Sequence, residues 1–357
     1  MKAGIIGLAC VGKSTLFQLL TGSQTASAGR PEARLGVARV PDARVDALAA
    51  MYSPKRRTYA SVEYVDVPGV AKGEGSALVD LPALRGIDAL VHVVRAFESE
   101  LAPHPDGRVD PLRDARLIEL ELILADLGLV ERRLERLAAN IKKAKRAEDV
   151  AELETFEKLK QHLEAERPLR EMATSESERR RLRNYALLSE RPMLLAVNLG
   201  ETAVRGADAE LQRSGLVQFA QRPGLALVPV SAPIEAEMAQ LPPEDARAFR
   251  EDLGLREPGL DRVIRSSYAL LGLISFLTAG EDECRAWPIL DGTRAQQAAG
   301  VIHSDIERGF IRAEVVACDE LVGAGSLAAC RERGTLRLEG KEYVVKDGDV
   351  INFRFNV

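Results

Sequence analysis

The chain is poor in aromatics, cysteine and histidine, and it has no long apolar run. Phe, Trp and Tyr make up 4% of its 357 residues, with a single tryptophan. That leaves little for the stacked-base platforms of single-strand nucleic-acid binders. Its four cysteines, Cys10, Cys284, Cys318 and Cys330, lie far apart without the paired spacing of a zinc site. They read as reduced thiols rather than a disulfide framework. No stretch reaches the ~18–20 uncharged apolar residues of a membrane span. The short apolar run at the N-terminus leads straight into a motif, so no signal peptide and no membrane partner are expected. Nor does one sign of charge dominate: 49 basic and 54 acidic residues give a net charge of −5. A globally basic nucleic-acid coat is excluded, and sequence-specific DNA binding is not expected. What is present is core material, 46% hydrophobic, in a length that suits two or three domains at about 150 residues each. The expectation is a globular, cytoplasmic protein.

Five β-rich runs punctuate the chain: Lys2 to Ile6, Ala60 to Asp66, Ala89 to Val94, Met193 to Val197 and Leu225 to Val230. Each has the length of a buried strand and helical stretches separate them, which predicts an α/β fold with a mostly parallel sheet. Between the third and fourth runs the texture changes. Leu120, Ile123, Leu127, Val130, Leu134, Leu137 and Ile141 recur at spacings of three and four, a heptad seam. A second helical run carries Leu153, Phe156 and Leu163 after a polar break around Lys145 to Asp149. Together they predict an inserted antiparallel coiled-coil hairpin. From Glu131 to Arg146 seven basic residues face two acidic ones. That stretch is either a solvated helix face or a contact for an anionic partner, plausibly RNA. From about Ile274 short alternating strands with Gly and Asp-Gly turns predict a small α+β domain. The division expected is 1–115 with 190–273 for the nucleotide-binding domain, 116–189 for the helical insertion and 274–357 for the C-terminal domain.

Gly7-Leu8-Ala9-Cys10-Val11-Gly12-Lys13-Ser14 fits G-x-x-x-x-G-K-[ST], after a strand and before a helix that continues through Thr15. In such a loop backbone N–H groups face the phosphates and the helix N-terminus adds positive potential. Lys13 would reach the β- and γ-phosphates, and the Ser14 hydroxyl would ligate Mg²⁺. Asp66-Val67-Pro68-Gly69 ends a later strand as a D-x-x-G element does, with Asp66 holding Mg²⁺ through water and the Gly69 N–H sensing the γ-phosphate. Val70 follows, where Ras-like enzymes carry the glutamine that orients water. Guanine-selective sites read the base with N-K-x-D; here the run is Asn198-Leu199-Gly200-Glu201. Without the lysine and the aspartate the balance leans to ATP. Ser231 and Ala232, after the fifth strand, suit the loop that lends backbone groups to the base.

With these motifs on one chain, the sequence resembles the YchF / Obg-like ATPase family of translation-factor P-loop proteins. The likeness extends through EPGLDRVIRSSYALLGL from Glu257, TAG at Thr278, RAW at Arg285, VIHSDIERGFIRAEV at Val301 and the terminal FRFNV. It implies a G-domain interrupted by a coiled coil and followed by a TGS-type β-grasp domain, with ATP hydrolysed in preference to GTP and association with ribosomes or ribosomal RNA. In HPDGRVDP, His104 matches a family histidine proposed to support hydrolysis in place of the glutamine; the alternative is an inert surface histidine. Three departures stand out. Cys10 replaces an asparagine tied to monovalent-cation binding, and a thiol is a poor ligand, which makes K⁺ a doubtful cofactor. The segment TASAGRPEARLG is short, with Arg30 near the place of an Mg²⁺-binding threonine. The stretch after Asp66 is short as well. Intact Lys13, Ser14 and Asp66 favour a slow ATPase; the altered segments favour a nucleotide-binding module with negligible turnover. A GTPase is the third reading.

Overall fold

The computed structural model describes residues 1–23, 34–67, 81–84, 86–100, 102–104 and 106–356. Its strands are β1 (Lys2–Ile6), β2 (Arg34–Arg39), β3 (Arg56–Thr58), β4 (Ser61–Asp66), β5 (Ala89–Ala96), β6 (Met193–Leu199), β7 (Leu225–Val230), β8 (Leu273–Thr278), β9 (Glu283–Leu290), β10 (Phe310–Ala317), β11 (Arg337–Glu339) and β12 (Asp349–Phe355). They form two six-stranded sheets, β2-β4-β1-β5-β6-β7 and β11-β10-β12-β8-β9-β3. By its contacts the chain divides into two compact units, Met1–Val37 with Glu63–Leu270 and Ala38–Val62 with Leu271–Val357.

In the first unit β1 pairs in parallel with β4 and β5, β5 with β6, and β6 with β7. β5 and β6 lie in the middle and are buried almost end to end. That burial on both faces explains why ALVHVVRA and MLLAVNL read as runs rather than as alternations. All five strands expected from sequence are present. Two extend further: β5 runs to Ala96 and takes in Arg95, and β6 runs to Leu199.

Helix α1 (Lys13–Thr21) follows β1, and α2 (Ala43–Tyr52) is capped by the Asp42 carboxylate. Helix α3 (Pro111–Lys143) has 33 residues; it starts on Asp110, whose side chain accepts from the Arg113 N–H, with proline in the first turn. Three residues later α4 (Ala147–Glu164) returns along it, as the polar break predicts. Arg133 holds Glu152 through two bonds of 2.8 Å, and Tyr185 donates to the same carboxylate at 2.7 Å. Ile123, Val130, Phe156, Leu159 and Leu163 fill the seam, closed by Leu169, Leu182 and Leu187. Nearer its start α3 also buries Ala115, Ile118 and Leu122, because there it packs on β5.

In the second unit β8 and β9 form an antiparallel pair, β12 runs parallel to β8 and antiparallel to β10, and β3 pairs in parallel with β9. The core is Phe276, Ile289, Phe310, Val315, Ile351 and the three alanines Ala295, Ala298 and Ala299 of one helix. Small residues on that helix let it lie close to the sheet. β2, α2 and β3 were not foreseen as elements. No helix among the described residues is long and apolar enough to cross a membrane.

One carboxylate ties the hairpin to the strand that follows it. Asp126 on α3 accepts from the backbone N–H of Leu188 at 2.9 Å and of Ser189 at 2.7 Å, and from the Ser189 hydroxyl at 2.6 Å. Burial raises its pKa to about 6 despite these donors. Replacing Asp126 by Ala strands two buried N–H groups, at about 1–3 kcal/mol each, and chemical denaturation should register the loss. The pH dependence has a definite sign. The folded state holds a proton that the unfolded chain has released, so this contribution is lost as pH rises from about 4 through 6. Asp126→Asn should remove that slope.

Candidate nucleotide site

The loop between β1 and α1 is shaped by its glycines. Gly7 and Gly12 have φ of 145° and 96°. A Cβ on Gly7 would lie 2.5 Å from the Val93 carbonyl oxygen, and one on Gly12 would lie 2.5 Å from Asn198 Nδ2. Both positions therefore exclude side chains. Cys10 adopts φ 58° and is exposed.

Around the loop, donors hold the carbonyls. Lys13 Nζ donates to Gly7 O at 2.9 Å and Leu8 O at 2.5 Å. Arg95 Nη1 donates to Cys10 O at 3.3 Å, Asn198 Nδ2 to Val11 O at 3.0 Å, and Leu16 N to Gly12 O at 2.9 Å. With the carbonyl ends engaged, the N–H ends of the same peptides are the groups left to meet an anion, beside the positive end of α1. Asn198 also accepts from the Ala232 N–H at 3.0 Å. One side chain thus links the phosphate loop to the segment at Ser231 and Ala232.

Asp66, at the end of β4, is buried and accepts from Ser14 Oγ at 3.2 Å. Arg34 Nη2 pairs with the same oxygen, Asp66 Oδ2, and its guanidinium lies 5.3 Å from the Phe17 ring centroid. A hydroxyl beside a carboxylate is an oxygen donor set that suits a hard cation sharing its remaining positions with water and phosphate. Arg34 already neutralises part of that charge. Lys13 is buried; desolvation lowers its pKa to about 8, with Asp66 and Cys10 pulling the other way.

Leu199 is buried at the end of β6 and Glu201 is exposed at the start of a short 3-10 turn. A cavity of about 730 Å³ opens beside Leu199, lined among others by Val204, Ser231, Ile234, Glu235 and Arg262. Thr15 lies exposed in the first turn of α1 and Ala9 is half-buried in the loop. Gly69, with Val70 and Arg30, lies outside the described residues.

The structure brings Lys13, Ser14, Asp66, Asn198 and Ala232 together around the loop. His104 stands apart from this network. Its ring is buried, with Nε2 2.8 Å from Asp114 Oδ2 and Nδ1 accepting from the Asp106 N–H at 3.1 Å. The accepting Nδ1 fixes the tautomer, so Nε2–H donates to Asp114. Arg113 holds the other oxygen of that carboxylate. His104 is thus a hydrogen-bonded interior residue in this arrangement, with both ring nitrogens engaged.

Sequence reasoning missed three neighbours of the loop. Arg34 was hidden because no motif marks it. His92, on β5 opposite Ile6, has its Cδ2 3.5 Å from where a Gly7 Cβ would be. Burial and the nearby Lys13 lower its pKa to about 3, so it is neutral. Arg95 was read as lying beyond a strand end. A charged residue closing the apolar run ALVHVV was the one available signal.

A glycine-shaped loop feeding a helix, with an invading lysine and a strand-end aspartate on a parallel sheet, defines the P-loop nucleotide-binding class. The comparisons agree with that class. A family model described as 50S ribosome-binding GTPase matches residues 2–120, and the YchF-GTPase C-terminal model, described as a protein of unknown function, matches residues 273–356. The "Ribosome-binding ATPase YchF" of Bacillus subtilis is 42% identical over 365 residues, covering all of both chains. That of Haemophilus influenzae is 42% identical over 366 residues, covering 100% of this chain and 99% of its own. The "Obg-like ATPase 1" of Oryza sativa is 35% identical over 100% of this chain and 92% of its own. A solved Schizosaccharomyces pombe structure, titled as a YchF GTPase, superposes with a TM-score of 0.85 at 30% identity, covering 99% of this chain and 97% of that one. The chain belongs to the YchF family.

The depressed Lys13 pKa carries a prediction. Above pH 8 a growing share of the ammonium is uncharged, so an anion in the loop loses its cation. Inorganic triphosphate should bind more weakly at pH 9 than at pH 7 in calorimetric titration. Lys13→Ala should bind weakly at both and lose most of that pH dependence.

Proposed function

We propose that the protein binds ATP with Mg²⁺, hydrolyses it slowly, and works in the cytoplasm in association with the ribosome. The observation that carries the nucleotide choice is the base loop. Asn198 is retained and hydrogen-bonded on both sides, while Leu199 and Glu201 stand where guanine-selective sites carry lysine and aspartate. Relatives are named as ATPases, the yeast structure as a GTPase, so the loop chemistry is what decides between them. The proposed contacts are Gly7, Ala9, Cys10, Val11, Gly12, Lys13, Ser14, Thr15 and Gly69 for the phosphates, and Asn198, Leu199, Glu201, Ser231 and Ala232 for the base.

Mg²⁺, held by Ser14 and through water by Asp66, would supply neutralisation of phosphate charge. Lys13 leaves the Gly7 and Leu8 carbonyls for the terminal phosphates, and Arg34 yields Asp66 Oδ2. His104 acts on water or phosphate charge only after Nε2 parts from Asp114. With an aliphatic residue at Val70, turnover is on the order of 10⁻⁴–10⁻³ s⁻¹ or below, the range of small GTPases without an arginine finger. The same proposal includes the division into 1–115 with 190–273, 116–189 and 274–357, the last of TGS-like β-grasp type.

Competition titration should give tighter ATP than GTP binding; a tenfold preference for GTP would sink the ATP reading. Single-turnover assays on wild type, Lys13→Ala and His104→Ala, with and without ribosomes, separate enzyme from module. A wild-type rate no higher than that of Lys13→Ala would leave a binding module.

Ribosomal RNA as partner draws support from the hairpin. Arg132, Arg136, Lys142, Lys143, Lys145 and Arg146 are exposed and have no ion pair among the described residues, whereas Arg133 is tied to Glu152. Reversing Lys142, Lys143 and Lys145 to Glu should weaken ribosome co-sedimentation and flatten its salt dependence. Unchanged sedimentation would return the tip to a solvated helix face.

A further inference from the structure

Arg95 is among the largest fully buried side chains of the described residues, at 0% exposure, and no carboxylate pairs with it among them. Its Nε donates to Phe97 O at 2.9 Å, its Nη1 to Cys10 O at 3.3 Å, and its guanidinium lies 4.5 Å from the Phe97 ring centroid. Nη2 is buried with no hydrogen-bond partner among the described residues. Carbonyl dipoles and a ring face compensate a buried cation incompletely, and an orphaned donor adds to the cost. Folding stability does not account for such a residue.

Its position does. Arg95 lies opposite Asn198 in the β5–β6 register. Phe97, on which it stacks, has its Cβ 3.4 Å from where a Gly200 Cβ would be. The guanidinium thus joins the phosphate loop at Cys10 to Phe97, the residue that lies against Gly200 of the base loop. A nucleotide with its phosphates in the loop and its base at Asn198 would run its sugar between the two.

We infer that Arg95 is a nucleotide-positioning residue. It supplies from β5 the cation that the base loop lacks at Leu199, and it fixes the Cys10 carbonyl so that the loop keeps its anion-binding shape. The bound polyanion compensates its charge across the loop it braces, while Nη2 stays in the interior. On this reading a lysine at Leu199 would add a second cation to a segment that Arg95 already serves. This inference deepens the ATP reading, yet the loop brace itself is indifferent to which purine is bound.

The test uses the full-length protein with Arg95→Met, Arg95→Lys, Leu199→Lys and the double variant Arg95→Met/Leu199→Lys. Affinities for ATP and GTP come from competition against a fluorescent nucleotide, and thermal midpoints are taken without nucleotide. Arg95→Met should lose about ten- to hundredfold in affinity for both nucleotides, the scale of charged hydrogen bonds, with an unliganded midpoint equal to or above wild type. Arg95→Lys should recover part of the affinity. Leu199→Lys should weaken binding in the wild-type background and strengthen it in Arg95→Met. A purely structural arginine would lower the midpoint and show no such reversal. ATP affinity of Arg95→Met within twofold of wild type would overturn the inference. So would an equal effect of Leu199→Lys in both backgrounds, or, if Arg95→Met does not fold, wild-type affinity in Arg95→Lys. A wild-type preference for GTP would instead overturn the ATP reading and leave the Arg95 result standing.

Discussion

Everything at the site depends on which end of each peptide in the phosphate loop is spoken for. A peptide group that turns its N–H toward an anion turns its carbonyl the other way, and a donor on that carbonyl holds the peptide in this orientation. Here the carbonyls of Gly7, Leu8, Cys10, Val11 and Gly12 are all taken, by Lys13, Arg95, Asn198 and the first turn of α1. The glycines permit the loop's path, but the donors around it fix its polarity. Two of those donors come from neighbouring strands, β5 and β6, so the loop's electrostatics are a property of the sheet.

Asp66 faces a different constraint. A single buried carboxylate oxygen serves both the Ser14 hydroxyl and the Arg34 guanidinium. A divalent cation at Ser14 and Asp66 would have to share that carboxylate with a positive charge already paired to it. Lys13 stands in a parallel relation to the loop, held by carbonyls it has to give up to reach a phosphate. Lys13 is thus stored on neutral carbonyls, partners weaker than a phosphate, whereas Arg34 already holds a carboxylate.

Motifs whose chemistry is local in sequence were legible from it: the loop from Gly7 to Ser14, the strand-end Asp66, the altered base loop and the heptad seam. The central strands were legible because burial on both faces makes them continuous apolar runs. Arg34–Arg39 escaped because its alternation is short and half of it is exposed. Arg95 escaped because its meaning depends on two partners, Cys10 and Asn198, that only strand pairing brings near. His104 shows another limit: the family resemblance suggested a role for it, but its hydrogen bond to Asp114 was not legible in the sequence.

Helix α3 joins these observations in one element. Its first turn carries Asp114, which holds His104; its next turns pack on β5, the strand of His92 and Arg95; its far end carries cations of the hairpin that have no ion pair among the described residues. At 1.5 Å per residue its 33 residues span about 50 Å. Near the base, buried Glu119 meets both Arg170 and Arg222, and Arg222 reaches Glu171 at 2.6 Å. A buried ionic cluster is specific in geometry more than it is stabilising, because any shift leaves a charge unpaired. The helix is thus clamped where it leaves the sheet, and one element carries both the carboxylate that holds His104 and the cations of the hairpin.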